Sequence, residues 1–562
     1  METLRIALAQ INPIVGDLNG NSEKIIEYIE KARVNDADIV IFPELAVTGY
    51  PPEDLLFNKT FLKDTVSHLD KIISHTVDIV TIVGFADSMD KKLYNAAGII
   101  ANRTLIDTYH KINLTKSSVF DDSKYFKRGR NYTLYNLDGI EFYSVFLNDL
   151  KHLSNNSILK PDTSLSIVLC IDASCYYRGK QAETEKAVSG VASRNGKYIA
   201  YLNMAGGQDE WVFEGNSFVA DTTGKIIAKS PAFEEDLLLA DIKLKKNIPL
   251  PDYKIKSISI PYKFMKKGLP VQNKIARTLE YIEEVYRALV LGTRDYVKKN
   301  GFAKVVLGLS GGIDSALVAV IARDALGEEN VTCISMSTRY TSEESKSDAR
   351  EIAKNLNTQF VEVPIDSLYS SYLNLWTSVF NNESPSQLTL ENIQPRIRAN
   401  ILMAFSNNFS CFVLTTGNKS EVASGYSTLY GDTAGAFAVI KDVPKTLVYK
   451  LAQWINKRGG TEVIPMRVLT KAPTAELKHN QKDTDTLPPY EVLDPILEAY
   501  IEDNKTIQEL TAMGNDPALV KKIVSMIQIN EYKRRQSPIG IKITKKSFGK
   551  DMSFPITNRY RH

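Results

Sequence analysis

The chain of 562 residues is too long for one hydrophobic core, and its length predicts two large domains or about three ordinary ones. An apolar content of 43% with 24% charged residues describes a soluble globular protein, and a net charge of +3 excludes bulk attraction to nucleic acid. Four scattered cysteines, Cys170, Cys175, Cys333 and Cys411, argue against a disulfide framework or a paired-cysteine zinc site. With no signal-peptide run at the start and no long uncharged apolar stretch for a membrane, the expected setting is cytoplasmic.

The first half is rich in short apolar strands. Residues 4–9 read as a buried strand, and 21–35 carry Ile25, Ile26, Ile29 and Ala32 at helical spacing. Residues 38–43 form a second apolar run that ends at Glu44, and 78–84 and 96–101 continue the pattern. Strands outnumber helices here, which predicts a layered α/β domain. Glu44 directly follows a buried strand, where loss of water raises a carboxyl pKa and marks a candidate base. Lys111 stands at the end of another strand, within 109–114.

With Glu44 and Lys111 so placed, the first half resembles the nitrilase superfamily, specifically the glutaminase domain of glutamine-dependent NAD synthetases. The resemblance implies an α-β-β-α sandwich over residues 1–242 and a Glu–Lys–Cys triad. Glu44 would be the base, Lys111 the cation for a developing oxyanion, and a Cys the nucleophile. Segment 173–180 is similar to that family's glutamine-binding segment. Counting back from it puts Leu147 at the nucleophile position and Asn148 at the Glu that follows. An aliphatic side chain forms no thioester, so the resemblance implies an inactive domain, a pseudo-glutaminase. Two more departures agree: Ser117 stands for an expected Tyr, and Asp122 for an expected Glu. Cys170 lies inside the strand 165–171 and reads as inert core. Cys175, in a turn nearer the pocket, is the alternative nucleophile. Residues 205–218 read as a hairpin closing the sandwich, and 237–241 end the domain.

Residues 243–270 are basic and punctuated by prolines, which predicts a connector rather than a core element. From 271 to 562 the pattern changes. Ile275, Leu279, Ile282, Tyr286 and Leu289 line one side of a helix that ends near Gly301. Residues 304–315 then read as a buried strand, a Gly/Ser turn and an apolar helix. That geometry aims backbone N–H groups and a helix N-terminus at a phosphate. Gly311 and Gly312 permit close approach, and Asp314 sits where a phosphate-bound Mg²⁺ takes a carboxylate. No Lys follows the second glycine, so the turn is not of the Walker type. Strands at 331–336, 359–363 and 411–416 alternate with helices, which predicts a doubly wound parallel sheet with ligands at the C-terminal strand ends. A helix opening at 391 carries Asn392, Arg396 and Arg398, and a second strand–turn–helix brings up Thr416 and Glu421. Segment 469–477, with Asp483 and Asp485, reads as a mobile loop that closes over the site.

The turn at 308–315 resembles the pyrophosphate loop of the ATP pyrophosphatases, and the block from 304 to 560 resembles NAD synthetase. The resemblance implies that ATP is held by Gly308, Leu309, Ser310, Gly311, Gly312, Ile313, Asp314, Ser315, Thr416, Lys445 and Thr474. It implies Mg²⁺ on Asp314 and Glu421, and deamido-NAD (nicotinic acid adenine dinucleotide) on Asn392, Arg396, Glu421 and Lys533. The implied reaction adenylates the nicotinate carboxylate, releases pyrophosphate and lets ammonia displace AMP. With Leu147 in place of a thiol, the expected nitrogen donor is free ammonia. The alternative is glutamine, through Cys175 or a separate glutaminase partner. No nucleic-acid or membrane partner is expected, and the family implies homo-oligomers, often octamers. A nucleotide sensor without activity is disfavoured by the intact turn with Thr416 and Glu421. A GMP synthetase or tRNA-modifying relative is disfavoured by the lack of a Cys–His–Glu glutaminase and of a basic surface.

Overall fold

The computed structural model describes residues 2–117, 119–155, 159, 165–244, 256–264, 267–380 and 383–560. The chain divides into two compact units, Met1–Leu279 and Glu280–His562.

In the first unit, a six-stranded sheet runs in the order Asp236–Leu244, Glu2–Gln10, Ile39–Ile41, Val80–Met89, Lys92–Ala101, Thr104–His110. A seven-stranded sheet runs Ile226–Lys229, Phe218–Ala220, Tyr198–Asn203, Leu165–Asp172, Ile140–Phe146, Thr133–Leu137, Lys256–Ile260. Alternation along the first strand explains how the layers stack. Ile6 and Leu8 enter one core with Phe142, Val168 and Tyr201 of the second sheet. Ala7 and Ala9 face the other way, where their small side chains admit helices Leu18–Val34 and Lys59–His75 through Ile25, Ile29, Leu69 and Ile72. Helices Leu147–Asn155 and Lys180–Asn195 pack on strands of the second sheet. The unit is a nitrilase-like α-β-β-α sandwich.

The stretch read as a connector departs from that expectation. Residues 245–255, 265 and 266 lie outside the described residues, but Lys256–Ile260 adds a parallel edge strand beside Thr133–Leu137. Its Ser257-Ile258-Ser259-Ile260 alternation has the period of a strand, which the surrounding Lys and Pro content masks. Further along, Lys267 donates to the Asp36 carbonyl and the Val271 N–H to Asp241, so this segment is tied to the first unit.

The second unit holds a five-stranded parallel sheet in the order Gln359–Glu362, Val331–Ser335, Val305–Gly308, Phe412–Thr415, Phe437–Ala438. The first strand in sequence is the central one, and the winding reverses between it and Phe412–Thr415. In such sheets a crevice opens outside the C-terminal ends at the reversal. The following helix, Ile313–Leu326, is buried from Ala316 to Ala322, which accounts for its unbroken apolar run. The helix expected from Ile275 begins at Tyr281 instead. Ile275 is exposed and bridges to Lys229 of the first unit. The helix expected to open at 391 starts at Gln387, capped by Ser386, and runs through Pro395. No described helix is long and apolar enough to cross a membrane.

Candidate functional site

The reversal point carries the site of the second unit. Strand Val305–Gly308 ends in the Gly/Ser turn, and Gly311 there has φ +81°, a left-handed conformation. A Cβ at Gly311 would stand 2.2 Å from the Ser345 carbonyl oxygen, so only glycine fits. Ser310 and Ser315 brace the turn from within: their hydroxyls are 3.1 Å apart, and Ser315 Oγ donates to the Gly312 carbonyl at 3.0 Å. No side chain caps the start of helix Ile313–Leu326, leaving its first N–H groups for an anion.

Two adjoining cavities open over this turn, of about 200 and 240 Å³. Gly308, Leu309, Ser310 and Thr416 line the first, with Arg398 and Asp432. The second is lined by Ser310 through Ser315 with Thr416, Glu421, Lys445 and Thr474. Every residue expected to hold the nucleotide therefore faces this crevice. Inside the second cavity, Lys445 Nζ pairs with Asp314 Oδ2 and lies 3.8 Å from Glu421 Oε1. Asn418 joins the two acids, its side chain donating to Asp314 at 3.0 Å and its backbone N–H to Glu421 at 3.2 Å. Burial, reinforced by the Asp314 carboxylate, pushes the Glu421 carboxyl up against the pull of Lys445. Burial pulls Lys445 down, but Asp314 and Glu421 outweigh it and leave the ammonium favoured.

The segment read as a closing loop lies over the cavity. Glu476 Oε1 accepts from Ser342 and Ser345 at 2.8 Å each, and Lys471 lies 3.3 Å from the same oxygen. Asn392, Arg396 and Lys533 bond to the loop 425–432, whose Tyr426, Thr428, Gly431 and Asp432 form part of the cavity walls. Asn392 accepts from Thr428 at 2.8 Å, Arg396 donates to the Leu429 carbonyl at 3.2 Å, and Lys533 donates to the carbonyls of Gly425 and Ser427 at 2.7 and 2.8 Å. Of the four residues expected to hold the dinucleotide, Glu421 lines the second cavity, and the other three are in the lining of neither.

In the first unit, Glu44 and Lys111 meet as expected. Lys111 Nζ lies 2.7 Å from Glu44 Oε1 and 2.8 Å from Asp122 Oδ2, and all three side chains are almost fully buried. Asp122, one methylene shorter than the expected Glu, still reaches the lysine. Asn95 donates to Glu44 at 2.6 Å and to Asp122 at 3.3 Å. Burial pushes the Glu44 carboxyl up, with Lys111 acting in the opposite sense. Burial disfavours the Lys111 ammonium, and Glu44 and Asp122 more than restore it.

Leu147 is the first residue of helix Leu147–Asn155, after strand Ile140–Phe146, and packs half-buried against the inter-sheet core. Its neighbours reach Lys111, Phe146 directly and Asn148 through Thr115. Lys111 Nζ sits 5.3 Å from the Phe146 ring centre, and Asn148 donates to Thr115 Oγ1 at 2.9 Å, which also accepts from Lys111 at 3.1 Å. Cys170 is fully buried between the sheets, and burial drives its thiol well up. Cys175 is half-buried against a cluster containing Tyr50, Phe120 and Trp211. Residues 205–218 include the expected hairpin, Ala205–Gln208 against Trp211–Glu214.

Sequence reasoning assigned no role to Asn95, Ser345 or Asp432, and took in Lys471 and Glu476 only as part of the closing segment 469–477. Asn95 is legible only through strand register: its carbonyl accepts from the Lys111 N–H, which sets its side chain beside Glu44. Asp432 and Glu476 follow turn-forming residues, Gly431 and the Pro473 segment, and polar residues in such loops were the available signal.

Each of the two units matches a known protein family. Residues 5–251 match the carbon-nitrogen hydrolase family and 285–537 the NAD synthase family. Over its full length the chain is 43% identical to the glutamine-dependent NAD(+) synthetase of Thermotoga maritima, covering all of that protein. Over 99% of its length it is 43% identical to the one from Aquifex aeolicus, again covering all of it. The solved glutamine-dependent NAD+ synthetase of Acinetobacter baumannii, in complex with ADP, superposes with a TM-score of 0.74 at 37% identity over 99% of both chains. The full-length identity to these synthetases, with a carbon-nitrogen hydrolase match in the first unit and an NAD synthase match in the second, places this protein in the glutamine-dependent NAD(+) synthetase family, a family of C–N bond-forming ligases.

Proposed function

We propose that the chain amidates deamido-NAD to NAD with ATP, and that it takes the nitrogen from free ammonia. The crevice at the strand reversal carries the first part of this reading, because turn, helix N-terminus and a Lys–Asp–Glu cluster converge there. ATP binds with its base in the cavity beside Leu309 and Arg398 and its phosphates against residues 310–315. The nicotinate carboxylate attacks the α-phosphate, and the loop N–H groups with Lys445 neutralise charge on the departing pyrophosphate. Ammonia then adds to the acyl-adenylate and AMP leaves.

The donor set fits Mg²⁺. Asp314 and Glu421 offer hard carboxylate oxygens on one cavity wall, and Mg²⁺ is commonly held by one or two carboxylates together with substrate phosphates. No group of three His, Cys, Asp or Glu that could hold a metal occurs among the described residues, so phosphate and water oxygens would fill the remaining positions. When bound, the ion would neutralise charge on the pyrophosphate.

The ammonia reading is supported by Leu147, an aliphatic residue that directly follows Phe146, whose ring lies 5.3 Å from Lys111 Nζ. One observation favours glutamine instead: the relatives in Thermotoga, Aquifex and Acinetobacter are named glutamine-dependent. On that second reading Cys175 or a separate glutaminase supplies the nitrogen. Steady-state NAD formation with ammonium chloride and with glutamine, in wild type and Cys175→Ala, separates the two. Ammonium-driven turnover with glutamine near background supports the first reading. Comparable glutamine turnover that Cys175→Ala removes establishes the second. A homo-oligomer is consistent with the exposed stripe Leu368, Tyr372, Leu375 and Val379 on one helix, and sedimentation velocity measures it.

A further inference from the structure

Asp494 lies on helix Tyr490–Ile501 and is almost fully buried, yet it lines neither cavity. Its carboxylate instead gathers the two segments that carry the charged cluster. Asp494 Oδ1 accepts from Ser420 Oγ at 2.5 Å, and Oδ2 accepts from the Thr446 N–H and hydroxyl at 2.8 Å each. Ser420 Oγ in turn accepts from the Lys445 N–H at 2.9 Å. Helix Lys445–Gly459 has Pro444 at its cap position and no capping side chain of its own. Its first two N–H groups are therefore satisfied by Ser420 and Asp494, with a negative charge at the end of the helix where one is favoured. Ser420 precedes Glu421, and Thr446 follows Lys445. One buried carboxylate thus fixes the backbone on both sides of the Glu421–Lys445 separation, and with it the seat of Asp314.

We propose that Asp494 is a positioning residue for the phosphate and metal site: it sets the spacing of Glu421 and Lys445 around Asp314 through Ser420 and Thr446. This rests on the nucleotide reading of the crevice. Asparagine keeps the shape of Asp494 but has one acceptor oxygen, so it cannot take hydrogen bonds from both Ser420 and Thr446 in their present orientation. Groups that orient metal-binding residues at one remove typically change metal affinity or activity about 10- to 100-fold when altered.

The test is calorimetric titration of the full-length protein with ATP, once with excess MgCl₂ and once with EDTA. In wild type the metal strengthens ATP binding. Asp494→Asn is expected to cut that gain by about tenfold while metal-free ATP affinity stays within about twofold. Ammonium-driven kcat falls in parallel, with KM for deamido-NAD unchanged. Thr446→Val, which deletes only the hydroxyl bond, is expected to show the same signature at smaller size and serves if Asp494→Asn does not fold. A variant with an undiminished metal-dependent gain would overturn the proposal. So would one that loses ATP affinity equally with and without metal, since that marks a merely structural role. A wild type whose ATP binding ignores Mg²⁺ would overturn the metal-site reading beneath, and the positioning role with it.

Discussion

Replacing Lys111 with Met tests the buried charge cluster of the first unit. The substitution keeps the length of the apolar stem and deletes the ammonium between Glu44 and Asp122. Those carboxylates lie 2.7 and 2.8 Å from Lys111 Nζ, and neither side chain exceeds 3% exposure. Breaking a buried pair by removing one partner costs about 3 to 5 kcal/mol, because an uncompensated charge is left behind. The penalty depends on pH in a definite sense. Burial already holds the Glu44 carboxyl above its unfolded value, so its contribution is fully favourable at low pH and is lost as pH rises through the folded value. Without Lys111 that value rises further, and the defect is smallest at about pH 5 and largest at about pH 8. Urea unfolding followed by Trp211 fluorescence, in a Trp376→Phe/Trp454→Phe background, reports on this unit, since Trp211 is buried within it. The expected midpoint shift is on the order of 1 M at pH 8. An unshifted midpoint at pH 8, or a defect that grows as pH falls, would refute the reasoning. Ammonium-driven NAD synthesis by the folded fraction should keep its kcat.

Asp314→Ala should lower NAD synthesis about a hundredfold or more with little change in the unfolding midpoint, and retained turnover would remove Asp314 from the site. Gly311→Ala should cost more than about 1 kcal/mol and weaken ATP binding, because it places a side chain at φ +81° and 2.2 Å from the Ser345 carbonyl; thermal melts and ATP titration measure both. EDTA should stop synthesis and added Mg²⁺ restore it. Since the Glu421 carboxyl is pushed up, Mg²⁺-dependent ATP affinity should strengthen as pH rises above the ordinary carboxylate range, and a flat profile from about pH 5 to 8 would count against Glu421 as a ligand.

What the residues announce in advance is what local geometry dictates. A buried strand that stops at Glu44 or Lys111, or runs into a Gly/Ser turn at Gly311, carries its own evidence, and these side chains meet at the expected places. Thr416 and Glu421 were legible for the same reason. Contacts set by tertiary register were not. Asn95 reaches Glu44 only because its strand pairs with the one ending at His110, and Asp494 reaches Ser420 across 74 positions of sequence. The edge strand Lys256–Ile260 was hidden by its basic, proline-containing surroundings. Asn392, Arg396 and Lys533 bond to the loop 425–432 of the cavity wall, a tertiary contact that local spacing does not announce.

The central claim, that Leu147 leaves the chain dependent on free ammonia, is tested most directly by isotope competition. The protein is supplied with ATP, Mg²⁺, deamido-NAD, ¹⁵N-ammonium chloride and unlabelled glutamine together, and the mass of the NAD carboxamide is read. The account predicts ¹⁵N in essentially all of the product. Product carrying mainly unlabelled nitrogen would contradict it and return the nitrogen to glutamine.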